Sequence, residues 1–425
     1  MFSLCISERR RAWPLLGLGA ALVILACGSD ETQSSGATNA VSSSASVTSG
    51  SGGSGNVASS TTSSSTAGGN GGSAGSGGVV PPLENAQIGD PGITSFQHLA
   101  FGPAGVLLIG DGDKDRIVAV ATGDTDPASA AGNTFVKIDN IVQRVADAFG
   151  GGATPGDIKL DDIVVNPISK RVYLAATRQS NKDHALYSMD GAGTLFAVDL
   201  SNVTYATIAY GAVDMIEGST IVEIAWTDTH VVASALEQSW TYSQMVTIAL
   251  PFTHGAATTV GTTKVYHRAH KKWETHAPIN SFTTYVDNGA PYIAGGFTCT
   301  PLVRYPVSLL AQGMTQAEGA TPFDYGSQKH TRDLIYYKNA NGAYLLANLA
   351  HFQNYTFAVR AKSALFTSAT DLNETAPVVL NGSQQPTHGD VERVNALDNA
   401  HRIVKRDDGN VILYRGTALE TVALP

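Results

Sequence analysis

Residues 99–120 read LAFGPAGVLLIGDGDKDRIVAV. Three apolar runs, Leu99-Ala100-Phe101, Gly105-Val106-Leu107-Leu108-Ile109 and Arg116-Ile117-Val118-Ala119-Val120, are separated by Gly-Pro and by an Asp-Gly-Asp loop. Runs of this length bounded by turn residues predict strand, turn, strand, loop, strand. The phrase returns as Asp162-Ile163-Val164-Val165, Arg171-Val172-Tyr173-Leu174-Ala175 and Thr194-Leu195-Phe196-Ala197-Val198, and again as Ile224-Ala225-Trp226, His230-Val231-Val232-Ala233 and Met245-Val246-Thr247-Ile248. Further copies begin at Phe282 and Asp333, and the tail from Val391 to Leu424 supplies a less regular sixth. Starts near 98, 162, 223, 281, 333 and 391 are spaced by 64, 61, 58, 52 and 58 residues. That is the size of one four-stranded sheet with its loops, and four to eight such sheets close into a β-propeller. The expected class is therefore all-β, a propeller of six or seven four-stranded blades, the last closed by strands from both ends of the domain. A β-sandwich is the alternative, since it also has short strands with regular turns. The repeated three-strand phrase argues against it. Helical periodicity is confined mainly to Ile141–Phe149 (IVQRVADAF).

Upstream of the repeats the composition changes twice. Arg9, Arg10 and Arg11 precede the apolar run Leu15 to Ala26, whose 12 residues are too few to span a bilayer, where about 20 are needed. This is the pattern of a secretory signal, residues 1–26. Its end, Ile24-Leu25-Ala26-Cys27, resembles the bacterial lipobox, which implies acylation of Cys27 and anchoring to a membrane through lipid. Gly28 rather than Asp follows the cysteine, which favours the outer membrane or cell surface by the same resemblance. Residues 27–81 are almost wholly Ser, Gly, Thr, Ala and Asn. Such a stretch lacks the apolar surface to offset its ordering entropy and is expected to be a disordered tether. Residues 82–425 form the expected propeller domain.

The formal net charge is −9, which excludes the basic footprint of a nucleic-acid partner. After loss of Cys5 with the signal and acylation of Cys27, Cys299 is the only thiol left, so no intrachain disulfide is available and a monomer held by its core alone is expected.

Three segments, Thr275-His276-Ala277-Pro278-Ile279, Gly296-Phe297-Thr298-Cys299-Thr300-Pro301-Leu302-Val303 and the ending Leu419-Glu420-Thr421-Val422-Ala423-Leu424-Pro425, resemble a group of secreted bacterial β-propeller lipoproteins of the YVTN or quinoprotein-like type. The resemblance covers roughly the second half of the domain. It implies the propeller and carries no activity. Lys329-His330-Thr331-Arg332 departs from the Arg-Pro-Leu that the group has before this strand.

Inner strands of a propeller converge on one axis. Aligning the repeats puts His98, Asp162, Glu223, Ser281 and Asp333 at equivalent positions, with His276, His330 and His388 just before inner strands. One reading is a channel site for a divalent metal ion, because imidazole suits Zn, Cu or Fe and carboxylates suit harder ions. The other is structural, with these groups bonding the amides of neighbouring blades. Cys299 is either a buried small hydrophobe or a candidate thiol. Asp111-Gly112-Asp113-Lys114-Asp115 fails as a calcium loop, because Arg116 stands where glycine is needed and Thr122 where a bidentate glutamate is needed. Trp240, Tyr242 and Trp273, with His267, His270, Lys271 and Lys272, form an aromatic and basic group that could face a protein or glycan partner. No Gly-x-Ser-x-Gly, His-Glu-x-x-His, P-loop or haem motif occurs. The sequence therefore favours a lipid-anchored binding scaffold over an enzyme; the alternative is an extracytoplasmic metal- or quinone-dependent oxidoreductase with its site at the channel.

Overall fold

The computed structural model describes residues 83–210, 220–236, 243–268, 270–275, 277–298, 301–326, 329–351, 353, 355–367 and 372–425. Six antiparallel sheets stand around one axis as the blades of a propeller, which agrees with the expected all-β class and decides between six and seven blades. Numbered by the chain order of their inner strands, the blades begin at His98–Phe101, Ile158–Val165, Thr220–Trp226, Ile279–Asp287, Lys329–Asn339 and Arg402–Lys405. Around the ring their order is 2, 1, 3, 4, 5, 6.

That order differs from the chain because blade 1 is not contiguous. After its first three strands (His98–Phe101, Val106–Asp111, Arg116–Ala121) the chain leaves, adds Lys137–Ile138 to the outer edge of blade 6, and forms the helix Ile141–Phe149. It then builds all of blade 2 and returns as Val203–Ala209, the fourth strand of blade 1. Gln87–Gly89 adds a fifth. Blade 6 is completed from the N-terminal side, Ile138 pairing with Leu419 and Lys137 with Glu420. Such lacing removes the open edge a linear array of sheets would leave.

The sixth repeat starts later than its sequence spacing suggests. Val391–Arg393 is the outermost strand of blade 5, paired with Tyr355–Lys362, and the inner strand of blade 6 is Arg402–Lys405. The three-residue run at 391 carries too little pattern to distinguish a last strand from a first. The helix lies where its periodicity places it, burying Ile141, Val145 and Ala146.

The core is divided among the blade interfaces. One apolar cluster joins each neighbouring pair: blades 1 and 3 through Leu108, Ile117, Ile224 and Val246, blades 4 and 5 through Phe323, Leu345 and Phe357, and so around to blades 2 and 1 through Leu99, Ile109 and Tyr173. Full burial of each large side chain is worth about 1.5–3 kcal/mol, so the ring is stabilised at every junction.

Four inner strands carry the same irregularity. Their register with the second strand slips between Leu160 and Asp162, Ile221 and Glu223, Ile279 and Ser281, and Thr331 and Asp333. Each slip is a β-bulge, two residues opposing one, which bends the strand and re-aims the side chain that follows. The residues that follow are Asp162, Glu223, Ser281 and Asp333. Among the described residues no helix is long and apolar enough to cross a membrane.

Candidate functional site

The bulges bring the aligned polar residues together at the axis. His98 Nδ1 lies 3.1 Å from Asp162 Oδ2 and His98 Nε2 lies 2.6 Å from Glu223 Oε1. Ser281 Oγ donates to Glu223 Oε2 at 3.0 Å. On the other side of the ring Arg402 reaches Asp162 Oδ1 through NH2 at 2.8 Å and Asp333 Oδ1 through Nε at 3.0 Å. All six blades thus contribute one side chain to a polar chain around the axis, running from Ser281 through Glu223, His98, Asp162 and Arg402 to Asp333. Arg402 completes it, and the sequence reading missed that residue because it placed the sixth repeat at 391.

The same groups tie each blade to the next. Leu99 N–H donates to Asp162 Oδ2 (2.7 Å), Leu334 N–H to Ser281 Oγ (3.2 Å) and Ile403 N–H to Asp333 Oδ2 (3.0 Å). In each case the donor is the residue after the equivalent position in the neighbouring blade. Asn348 Nδ2 adds a further bond to Asp333 Oδ2 at 2.7 Å. Burial opposes a charge on His98, but Asp162 and Glu223 outweigh it and raise its pKa above 6.5. Burial raises the Asp333 pKa against the pull of Arg402. For Arg402, burial is overcome by Asp162, Asp333 and Glu223, which keep it protonated. The arrangement is therefore a self-compensating ion-pair network, and its acids are engaged with the imidazole and the guanidinium.

On one side of the network the channel opens into a cavity of about 530 Å³, bordered by Phe101, Trp226, Glu223, Thr283, Lys405 and Asp408 among others. A second cavity of about 330 Å³, lined by Asp161, His401 and Tyr414, shares Arg402 and Ile163 with the first.

A different cluster has the donor set of a metal site. Blade 3 carries an outer hairpin, Thr259–His267 and Lys272–Glu274, with Val265 opposite Glu274, Tyr266 opposite Trp273 and His267 opposite Lys272. Strand side chains alternate between faces. Val265, His267, Lys272 and Glu274 therefore share one face, and Tyr266 and Trp273 share the other, where their rings meet edge to face at 5.8 Å. His270 lies in the turn, whose tightness is set by His270 N–H bonding to His267 O. Glu274 Oε2 receives His267 Nδ1 at 2.5 Å and His270 Nδ1 at 2.9 Å, while Lys272 Nζ holds Oε1 at 2.9 Å.

One ligand atom from each of His267, His270 and Glu274 lies within 4.8 Å of the others. A tetrahedral ion with bonds of about 2.0–2.1 Å separates its donors by roughly 3.3 Å. Glu274 Oε2 now stands at hydrogen-bond distance from both imidazoles, so these donors would have to spread slightly to admit an ion between them. Two of the three are shifted in the sense that suits an ion: burial lowers the His267 pKa, favouring the neutral imidazole. Burial would raise Glu274, but the bonds from Lys272, His270 and His267 prevail and bring it down to about 2. His267 is 3% exposed, and its Nε2 is buried with no hydrogen-bond partner. The nitrogen that meets Glu274 Oε2 is the other one, Nδ1.

The aromatic and basic group of the sequence is thereby divided. His267 and His270 face Glu274, and Trp273 packs on the opposite face with Lys264 Nζ 5.7 Å from its ring. The signal for a metal site was the spacing His267-x-x-His270-x-x-x-Glu274, which becomes legible only once the hairpin register sets His267 diagonal to Glu274.

His330 sits on the inner strand of blade 5 opposite Ala350, and burial, helped by the charge of Arg332, depresses its pKa to about 4. His388 precedes the outermost strand of that blade rather than an inner strand, its Nδ1 accepting from Asp390 N–H at 3.2 Å. Asp111 is fully buried, accepting from Thr94 and Ser95 and pairing with Arg116 at 2.7 Å, which makes the Asp-Gly-Asp run a structural anchor. Cys27, Trp240, Tyr242, His276 and Cys299 lie outside the described residues.

No family model matches the chain, and no curated protein matches it in sequence. Among solved structures it is similar to two of the extracellular region of plexin A4. One, of domains 1 to 10, has a TM-score of 0.38 and 8% identity over 81% of this chain and 40% of that one. The other, with domains 1 to 8, also has a TM-score of 0.38 and 8% identity, over 80% and 47%. A Bacteroides ovatus protein described as xyloglucan PUL GH43B has a TM-score of 0.30 and 12% identity over 62% of this chain and 51% of that one. The chain spans about half or less of the length of each.

Proposed function

We propose that this protein is a lipid-anchored, extracytoplasmic β-propeller that carries a transition-metal ion on the outer hairpin of blade 3. The observation that carries the reading is the convergence of His267, His270 and Glu274 within 4.8 Å. Two imidazoles and one carboxylate suit Zn, Cu or Fe better than Ca or Mg, which prefer sets made wholly of oxygen. The signal and Cys27 support display outside the cytoplasm. This moves the metal of the oxidoreductase alternative from the channel to the hairpin and leaves the His98 network a structural role.

Elemental analysis of the chain, purified without chelator or histidine tag and then supplemented with Zn, Cu and Fe, tests it. About one ion per chain is expected, retained in His98→Ala and lost in Glu274→Gln and in His270→Ala. A metal-free protein after supplementation overturns it.

A second reading, a scaffold holding a small ligand, protein or glycan partner, is favoured by the cavity of about 530 Å³ at the channel mouth. Its size falls within the range of small-molecule sites, about 300–1,000 Å³. Trp226→Ala would weaken capture of such a partner while leaving metal content unchanged.

A further inference from the structure

We infer that the blade 3 metal site is open: three protein donors hold the ion, and a fourth position takes an exchangeable small anion with an oxygen or nitrogen donor. The inference rests on the metal reading above and specifies what that site binds.

Three features support it. The first is donor count, since a tetrahedral ion held by His267, His270 and Glu274 has one position unfilled, the arrangement that separates reactive zinc sites from closed four-donor structural ones. Glu274 cannot readily supply a second oxygen, because Lys272 Nζ holds Oε1 at 2.9 Å while Oε2 faces the imidazoles. The second is access. The His267 side chain is 4% exposed, Glu274 13% and His270 25%, so the cluster is closed on the His267 side and reached from solvent past His270. The third is charge. A divalent ion on Glu274 leaves a positive centre, since Lys272 already pairs with Glu274 Oε1 and the Asp324 carboxylate that acts on His267 is offset by Lys329, and the exposed Lys271 stands beside it in the turn. Arg268, also in the turn, is engaged with the carbonyl of Ala376 and braces the hairpin. A positive centre with a lysine at its rim attracts anions and repels cations. The basic run Arg268-Ala269-His270-Lys271-Lys272 thus becomes the approach to the ion.

The probe is Co²⁺ in place of the native ion, followed through its visible absorption bands, with acetohydroxamate and thiocyanate as test anions. The full chain is expected to bind one Co²⁺, and its bands to shift saturably with either anion. In Lys271→Ala the Co²⁺ affinity is expected to hold while anion affinity falls about twofold to fivefold, the effect of one exposed charge. Bound Co²⁺ whose bands ignore both anions would mean a fourth protein donor and a closed structural ion, overturning this inference and leaving the metal reading intact. Absence of bound Co²⁺, with the same result for Zn²⁺, would overturn both.

Discussion

At the scale of single residues, His98 shows how one side chain can be read correctly in position and still need its surroundings to be understood. Its equivalence to Asp162, Glu223 and Asp333 follows from the repeat alone. Its partners do not, because Asp162 and Glu223 come from blades 64 residues ahead and 125 residues ahead in the chain, on opposite sides of blade 1. His98 is 5% exposed, and removing one member of a buried charged network leaves the others uncompensated, a loss of about 3–5 kcal/mol. His98→Ala is expected to lower the denaturation midpoint accordingly. The pH dependence has a definite sign. With the folded pKa raised above 6.5, the contribution of His98 is complete below that pH and is lost as pH rises through the folded value. The groups facing it are Asp162, Glu223 and, with opposite effect, Arg402. Thermal scans should show stability falling above about pH 6.5, and His98→Gln should flatten that limb. A wild-type protein equally stable across the range would show that His98 is not held protonated.

At the scale of elements, blades pack because glycines let them approach. A Cβ on Gly296, in the second strand of blade 4, would lie 2.1 Å from Thr331 Oγ1 and 2.7 Å from Thr331 Cβ in the inner strand of blade 5. Gly296→Ala is expected to cost about 1–3 kcal/mol by overpacking, read as a lower urea midpoint. Adding Thr331→Ala should recover only part of it, since the Thr331 Cβ remains in the way. Full stability in Gly296→Ala would mean that the two blades have room to separate. The first two strands of blades 1 to 5 were legible from their apolar runs and Ile141–Phe149 from helical spacing, whereas outer strands such as Val203–Ala209 and Thr259–His267, rich in Thr and polar residues, were not. The two-residue strand Lys137–Ile138 was not, since two residues carry no period. The outer hairpin of blade 3 was read as a basic loop because its lysines and histidines mask the pairing of Val265 with Glu274.

At the scale of the whole molecule, the ring closes within residues 83–425, blades 1, 2 and 6 being laced together by Lys137–Ile138 and Val203–Ala209. A chain starting at Pro82 is therefore expected to melt at the temperature of the full chain, and Cys27→Ala to move the protein from the membrane to the soluble fraction without altering that temperature. A membrane-bound Cys27→Ala protein would overturn the lipid reading. The sequence by itself determined the class, the approximate blade size, and in five blades the inner-strand register and the apolar residue after it, Leu99, Ile163, Ile224, Phe282 and Leu334. These are local facts: a strand buried between two blades must be apolar wherever it lies. Only the tertiary structure decided that blade 2 is inserted within blade 1, that Arg402 rather than a residue near 391 joins Asp162 to Asp333, and that His267, His270 and Glu274 meet. Each of these depends on which segments pair across the ring or across a hairpin. Pairing is set by the sum of many weak contacts between distant residues, and no window of the sequence contains that sum.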